Sequence, residues 1–191
     1  MKKIKVDPLT LICLAFMLFS NPSFAVPLLL AILVHEMGHI VAAIALRVRI
    51  KRLHLSIVGA RLEIDGSISY LEEFLLALAG PLFGILGPTL VAALAIKNES
   101  AATFAIVSLL LSAFNFFPIS TFDGGRMAKC LFCSILPLDF AQKILYVISF
   151  FTMFLFWMIT VYFMIKFAGG LSAFVFCSIF FIKHFIFDVD K

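Results

Sequence analysis

The sequence predicts an all-α, polytopic membrane protein with about six transmembrane helices and a small β-hairpin between the second and the third. Of its 191 residues, 63% are hydrophobic and only 14% are charged, whereas soluble domains are about half apolar and about a quarter charged. The mean hydropathy is +1.15. Six spans of ~20 residues would occupy roughly 120 positions. The remainder is too short for a separate soluble domain of ordinary size.

Six apolar stretches divide the chain. The first is short, and Asn21-Pro22 directly after it is a break signal. The lysines before this stretch and the small residues at 23–25 are also typical of a secretory signal. We favour an uncleaved first span within residues 1–25 over a signal that is cleaved after Ala25. The six stretches occupy residues 9–20, 26–46, 74–96, 101–117, 144–165 and 167–187.

The basic residues predict the orientation in the membrane. With a cytoplasmic N-terminus, all of the 15 lysines and arginines except Lys97 and Lys166 lie on the inner side, as the positive-inside rule requires. We therefore expect both termini in the cytoplasm and contact with anionic lipids of the bilayer. Because the basic residues are scattered among apolar runs, the net charge of +4 does not indicate nucleic-acid binding.

Residues 53–70, between the second and third stretches, have the pattern of a β-hairpin. Apolar and polar side chains alternate over 53–58 and again over 61–65, and Gly59 and Gly66 interrupt the pattern. Alternation with a period of two is typical of strands that have one buried face. We expect this hairpin to lie on the cytoplasmic side of the membrane or to dip into it.

Three ionisable residues lie in the middle of the second apolar stretch. His35, Glu36 and His39 are its only ionisable side chains, and such groups are costly at bilayer depth unless they serve a function. Residues four apart share one face of a helix. Both imidazoles can therefore bind one ion, and Glu36 can reach a water molecule beside it. This H-E-x-x-H pattern is typical of zinc peptidases, in which the glutamate is the general base.

A catalytic zinc site needs a third protein ligand, and Asp123 is the best candidate. It lies between Pro118, which should end the fourth helix, and Gly124-Gly125, which let the backbone turn. We expect Asp123 on irregular backbone at membrane depth, where a carboxylate needs a counter-charge. The alternative is an ordinary aspartate of a cytoplasmic loop that pairs with Arg126. The other candidates, in the hairpin and at the interfaces, are His54, Glu63, Asp65, Glu72, Glu73 and His184.

Two segments together resemble a known family. The H-E-x-x-H segment at 35–39, combined with Asn-x-x-Pro-x-x-x-x-Asp-Gly at 115–124, is similar to the site-2 protease family of membrane-embedded zinc metalloproteases. The small sporulation-type members are the nearest match. The resemblance covers residues 26–129 and implies a single intramembrane metalloprotease domain over 1–191.

The resemblance also implies roles for particular residues. It implies that Asp123 is the third zinc ligand, that Asn115 contacts the substrate backbone, and that residues 79–81 pack the third span against the core. The chain departs from the family pattern Gly-Pro-x-x-Asn, because the segment that begins at Gly80-Pro81 has Gly84 in place of the asparagine. From the residues themselves, Gly80 and Gly84 form a small-residue face for helix packing.

These observations predict an intramembrane zinc metalloprotease that hydrolyses peptide bonds in or near the transmembrane segment of a membrane protein. Zn²⁺ held by His35, His39 and Asp123 would act with Glu36 as general base and with Asn115 on the substrate. We expect a substrate with a helix-weakening segment, a regulatory membrane partner and a bacterial cell membrane. The alternative is a catalytically inactive or non-enzymic zinc-binding membrane protein that serves as a scaffold.

Overall fold

The structure, a computed structural model, describes residues 3–6, 18–56, 59–64, 66–96, 98–167, 177–178 and 181. The chain divides into two compact units, residues 1–116 and 117–191. The first unit contains β1 (Lys3–Val6), α1 (Pro22–Ala45), β2 (Ile50–Ser56), β3 (Gly59–Ile64), α2 (Tyr70–Ala93) and α3 (Glu99–Asn115), and the second contains α4 (Asp123–Cys133) and α5 (Leu138–Phe167).

Three of these helices are long and apolar enough to cross a membrane, namely Pro22–Ala45, Tyr70–Ala93 and Leu138–Lys166. The helix α3 is apolar but shorter, with 17 residues. The prediction of a multi-pass membrane protein is therefore confirmed. Most of the first and sixth predicted stretches, 9–20 and 167–187, lies outside the described residues, so the number of six spans stays a prediction.

The break predicted at Asn21-Pro22 is confirmed as the start of α1. Asn21 is the N-cap, and its side-chain oxygen accepts a hydrogen bond from the Phe24 N–H at 3.2 Å. Pro22 takes the first helical position, where its missing N–H costs nothing. The helix begins four residues before the predicted stretch, and Ala25 lies fully buried in its first turn.

The helix α1 ends in a Schellman arrangement. Arg47 adopts a left-handed backbone with φ of 54°, and the Val48 N–H donates to the Ala43 carbonyl at 2.8 Å. The end of α2 repeats this geometry at Ala95, whose φ is also 54°. Neither position carries the glycine that such caps favour.

Two paired strands, Ile50–Ser56 and Gly59–Ile64, lie in the segment for which a hairpin over 53–70 was predicted. The strands β2 and β3 are antiparallel, and Ser56 pairs with Gly59 next to the turn. An additional strand, β1, pairs in parallel with β2, with Lys3 opposite Arg52. The first unit therefore contains a three-stranded sheet beside its helices, and the strand β1 is additional to the predicted hairpin. The alternation Lys-Ile-Lys-Val over residues 3–6 is a strand pattern, although its lysines are equally typical of the charged flank of an apolar stretch.

The helices of the first unit approach one another closely at glycines on α2. A Cβ atom on Gly84 would collide with the Ser112 hydroxyl of α3, and one on Gly87 would lie 3.1 Å from Phe104. The Ser108 hydroxyl donates a hydrogen bond of 2.7 Å to the Gly84 carbonyl. The prediction that Gly84 serves helix packing is therefore confirmed.

The second unit begins with a short connection before α4, and a serine of α5 holds this connection by two hydrogen bonds. The Ser149 hydroxyl accepts a hydrogen bond from the Ser120 N–H at 3.0 Å and donates to the Pro118 carbonyl at 3.2 Å. The preceding helix ends at Asn115, as Pro118 predicts. The helix α4, which begins at Asp123, was not predicted.

Candidate metal centre

The histidines of the H-E-x-x-H segment lie side by side on one face of α1. His35 and His39 are each 4% exposed. Their ring centroids lie 5.1 Å apart, with the ring planes at 81° to each other. Glu36, next to His35, is half-buried. The spacing of four residues therefore produces the shared face that the sequence predicts.

A backbone carbonyl of α2 orients one of these rings. His39 Nδ1 lies 2.8 Å from the Leu76 carbonyl oxygen, in a buried contact. Because a carbonyl can only accept a hydrogen bond, Nδ1 must carry the proton. Nε2 of His39 then keeps its lone pair for a metal ion. Histidine ligands of metal sites commonly donate their other N–H in this way.

Both imidazoles converge on Gly80 of α2. A Cβ atom built on Gly80 would lie 2.9 Å from His35 Nε2, and it would collide with His39 Nε2. The two Nε2 atoms thus point at the same small space. The prediction that Gly80 packs helix against helix is incomplete, because its nearest neighbours are the functional ends of two side chains.

A second glycine allows this approach from the side of α1. A Cβ atom on Gly38 would collide with the Ala79 carbonyl oxygen and would lie 2.9 Å from the Phe83 Cβ. The backbones of α1 and α2 are therefore in direct contact at the level of the histidines. This agrees with the expectation that residues 79–81 pack the third span against the core.

Asp123 is the first residue of α4, in the second unit, and it is 7% exposed. Its Oδ1 lies 3.6 Å from Arg126 Nη1, so the pairing considered as the alternative is present. The prediction of irregular backbone at Asp123 is wrong, because the residue opens a regular helix. Phe122, the N-cap, offers no side-chain cap.

Gly125 acts through close packing and does not form a turn. A Cβ atom there would collide with the Ile119 carbonyl group and would lie 2.7 Å from the Ser120 Cα. The first turn of α4 therefore lies against the connection that precedes it. The interpretation of Gly124-Gly125 as a turn is wrong, because both glycines lie in the first turn of the helix α4. Among the described glycines, only Gly66 has a positive φ.

The donor set suits zinc. Among the described residues, the buried histidines and carboxylates are His35, His39 and Asp123, and each offers one ligand atom to a metal. Imidazole nitrogens and a carboxylate oxygen are ordinary zinc ligands. The remaining buried polar side chains in the described part of the chain are the hydroxyls of Ser108, Ser112 and Ser149.

The other predicted residues have different surroundings. Asn115 is the last residue of α3, and its Nδ2 donates to the Leu111 carbonyl at 2.9 Å. Glu72 forms a capping box with Ser69 at the start of α2. Asp65, His184 and the side chains of His54 and Glu63 lie outside the described residues.

The sequence does not predict that the Leu76 carbonyl and Gly80 of α2 lie against the side chains of His35 and His39. The Leu76 carbonyl leaves no signal in the sequence, because every residue has a carbonyl group. Gly80 does leave one, because a glycine inside a helix is costly and needs a packing or functional reason.

A comparison with models of protein families shows the family to which the chain belongs. The model of the M50B-like peptidases matches residues 9–176. The chain belongs to this family. The resemblance to the site-2 proteases is thereby confirmed, and the chain carries a group of residues, His35, His39 and Asp123, that could hold a metal ion.

Individual proteins are also similar to the chain, among them one curated relative and one solved structure. Stage IV sporulation protein FB of Bacillus subtilis (strain 168) is 32% identical over 149 residues, which cover 74% of this chain and 52% of that protein. The chain thus spans about half the length of this curated relative. The site-2 protease from Methanocaldococcus jannaschii has a similar fold, with a TM-score of 0.67 and 20% identity over 90% of this chain and 86% of that one.

Proposed function

We propose that this M50B-like peptidase is an intramembrane zinc metalloprotease that cleaves a membrane protein in or near its transmembrane segment. The observation that carries the proposal is the convergence of two imidazole nitrogens on one space beside Gly80. The histidines lie on a helix that is apolar enough to span the membrane. An enzyme built this way acts on peptide bonds at membrane depth.

His35, His39 and Asp123 are the proposed zinc ligands. All three are buried, and burial of ionisable groups needs compensation by an opposite charge or a metal. A bound zinc ion lowers the pKa of water to ~7 and polarises a carbonyl group. Arg126 lies beside Asp123, and we propose that it holds this carboxylate in its ionised form.

Glu36 is the proposed general base. It is adjacent to His35 on α1 and is half-buried, and we propose that water reaches its carboxylate. We propose that Glu36 takes a proton from the attacking water and later gives it to the departing amine. A residue in this role typically contributes about 10²–10⁴-fold to the rate.

The substrate must be extended before it can react, because a helix hides its peptide bonds. In the described sheet, β2 pairs on both sides, so the outer edges are those of β1 and β3. We propose that an unwound segment pairs with such an edge. Asn115 is proposed to bind the exposed backbone through its side-chain oxygen and its second amide N–H, because one N–H donates to the Leu111 carbonyl. Helix-weakening residues in the substrate would therefore favour cleavage.

The proposed orientation has both termini and the hairpin on the cytoplasmic side. The pairing of β1 with β2 supports it, because residues 3–6 and the hairpin then share one side. Cleavage products would be released towards the cytoplasm. We propose the bacterial cell membrane as the location, and a sporulation role with a regulatory membrane partner, on the strength of the relative's name.

The departure at Gly84 does not favour the inactive scaffold. The space beside Gly84 is filled by the Ser112 hydroxyl of α3. An asparagine at this position would collide with α3, so the glycine has a packing reason that is independent of the chemistry.

The test separates zinc binding from catalysis. Glu36→Gln should retain zinc and lose cleavage of a co-expressed panel of single-span membrane proteins by about 10²–10⁴-fold. Glu99→Gln is the matched control, because Glu99 is an exposed carboxylate at the start of α3, and it should cleave normally. Cleavage by Glu36→Gln at the wild-type rate would overturn the proposal.

A further inference from the structure

We propose that Gly80 is a positioning residue for the metal, and that its missing side chain leaves the space in which both histidines bind one ion. This inference rests on the proposed function, because it assumes that the two imidazoles are zinc ligands. It assigns to α2 a role in the metal centre, although α2 supplies none of the proposed ligands.

The surroundings of the helix-packing glycines distinguish Gly80 from the others. Added Cβ atoms on Gly38 and Gly125 would meet backbone atoms, which cannot move without separating the packed segments. On Gly84 the Cβ would meet a serine hydroxyl, and on Gly87 two apolar side chains at 3.1 Å or more. Of the glycines described in this way, Gly80 is the one whose Cβ would meet imidazole nitrogens.

The same geometry indicates which part of the molecule a methyl group would disturb. The nearest atoms to a Cβ on Gly80 belong to the ends of the His35 and His39 side chains. Side-chain ends can move while the backbone stays in place, so the fold should tolerate alanine there. The rings, however, would have to turn away from the space on which they converge.

The tether of His39 makes this displacement costly for the site. Nδ1 of His39 is held by the Leu76 carbonyl, one turn before Gly80 on the same helix. A ring that turns away from a methyl group at position 80 must stretch or break this hydrogen bond. Zinc–nitrogen bonds require ~2.0–2.1 Å, so a displaced ring cannot remain a ligand in the same place.

The experiment compares three glycine-to-alanine variants of the full chain in detergent. Zinc content is measured by elemental analysis, affinity by competition with a chelator, and coordination by the visible absorption of Co²⁺. Gly80→Ala should bind zinc at least ~100-fold more weakly, at or beyond the upper end of effects from groups around a metal site. Gly87→Ala, two turns further along α2, should bind like the wild type.

Gly84→Ala is expected to affect stability where Gly80→Ala affects zinc binding. It should lower resistance to unfolding, because the methyl group collides with Ser112, while the folded fraction still binds zinc. Gly80→Ala should unfold close to where the metal-free wild type unfolds.

A second background keeps the inference testable if Gly80→Ala folds poorly. In the double variant His35→Ala/His39→Ala both imidazoles that a methyl group would meet are absent, so adding Gly80→Ala should cause no further loss of stability. A large further loss there would overturn the inference, because the clash would then lie elsewhere.

The outcomes also separate this inference from the proposed function. If the wild type binds zinc and Gly80→Ala binds it equally tightly, the role of Gly80 is wrong while the protease proposal stands. If Gly80→Ala loses zinc but Glu36→Gln cleaves normally, the role of Gly80 stands and the proposed mechanism fails. A wild type that binds no zinc overturns both.

Discussion

The proposed ligands come from two regions that are built in different ways. In the histidine region, where α1 meets α2, the side chains are positioned by long helices whose contacts join residues far apart in sequence, such as His39 and Leu76. In the aspartate region, residues 118–126, the carboxylate opens a helix of 11 residues and lies 3.6 Å from the guanidinium group of Arg126, three positions later.

Both regions depend on a glycine at which two backbones touch. Gly38 allows α1 to contact the Ala79 backbone, and Gly125 allows α4 to contact the Ile119 backbone. The difference is in what the contact positions. In the histidine region it brings two regular helices together, whereas in the aspartate region it folds a connection against the helix that it precedes.

The largest expected effect comes from filling these backbone contacts. Gly38→Ala and Gly125→Ala should each lower the free energy of unfolding by about 3 kcal/mol, because overpacking against backbone atoms cannot be relieved by a side-chain rotation. Each should also weaken zinc binding. Unfolding in denaturing detergent and zinc competition would measure both effects.

Gly66→Ala is the control for this pair. Gly66 has open space around it and a φ of +94°, so alanine there should cost only ~1 kcal/mol and leave zinc affinity unchanged. Equal losses of zinc affinity in all three variants would show that the backbone contacts have no special role in the site.

The next effect tests whether the aspartate region depends on α5. Ser149→Ala removes the hydroxyl that binds both Ser120 and Pro118. The loss of two hydrogen bonds to these half-buried backbone groups should cost about 1–3 kcal/mol. Zinc affinity should fall as well, since Asp123 follows this connection directly.

Thr152→Val is the matched control for Ser149→Ala. The Thr152 hydroxyl donates only to the Ile148 carbonyl of its own helix, so its loss should change stability little. If Thr152→Val and Ser149→Ala have the same effect, the connection is not fixed by α5.

A smaller effect tests whether the helix caps matter to the histidine region. Asn21→Ala removes the cap of α1 and should cost about 1 kcal/mol. Because the cap lies more than three turns before His35, zinc affinity should not change. A loss of affinity alongside the loss of stability would indicate that fraying of α1 reaches the metal centre.

The smallest effect is a gain. Ala95→Gly relieves a left-handed backbone with φ of 54° at the end of α2. The relief of ~1 kcal/mol is partly offset by the greater freedom of glycine in the unfolded chain, which costs about 0.5–1 kcal/mol. A gain of a few tenths of a kcal/mol in the same unfolding assay is expected, and a clear loss would contradict the assigned backbone strain.

The sequence predicts the histidine region better than the aspartate region. A spacing of four residues inside an apolar helical stretch places His35 and His39 on the same face of the helix, and the structure has this arrangement. Asp123 was found through its neighbours, but its backbone was predicted wrongly. The glycines after it suggest a turn, whereas they allow a close approach that depends on the position of Ile119 in space.

Other features depend on contacts that no local pattern contains. The parallel pairing of β1 with β2 joins residues about fifty positions apart, so alternation over four residues could not be distinguished from a charged flanking segment. The role of Gly80 likewise depends on which side chains α1 turns towards it. The hairpin and the break at Asn21-Pro22 were predicted because their signals are local.

The most direct test of the account is the zinc content of the purified chain and of four variants. The account predicts about one zinc ion per chain in the wild type and in Glu36→Gln, and a near-complete loss in His35→Ala, His39→Ala and Asp123→Ala, with all five proteins folded. An Asp123→Ala variant that keeps its zinc with unchanged affinity would contradict the claim that the two regions share one metal ion.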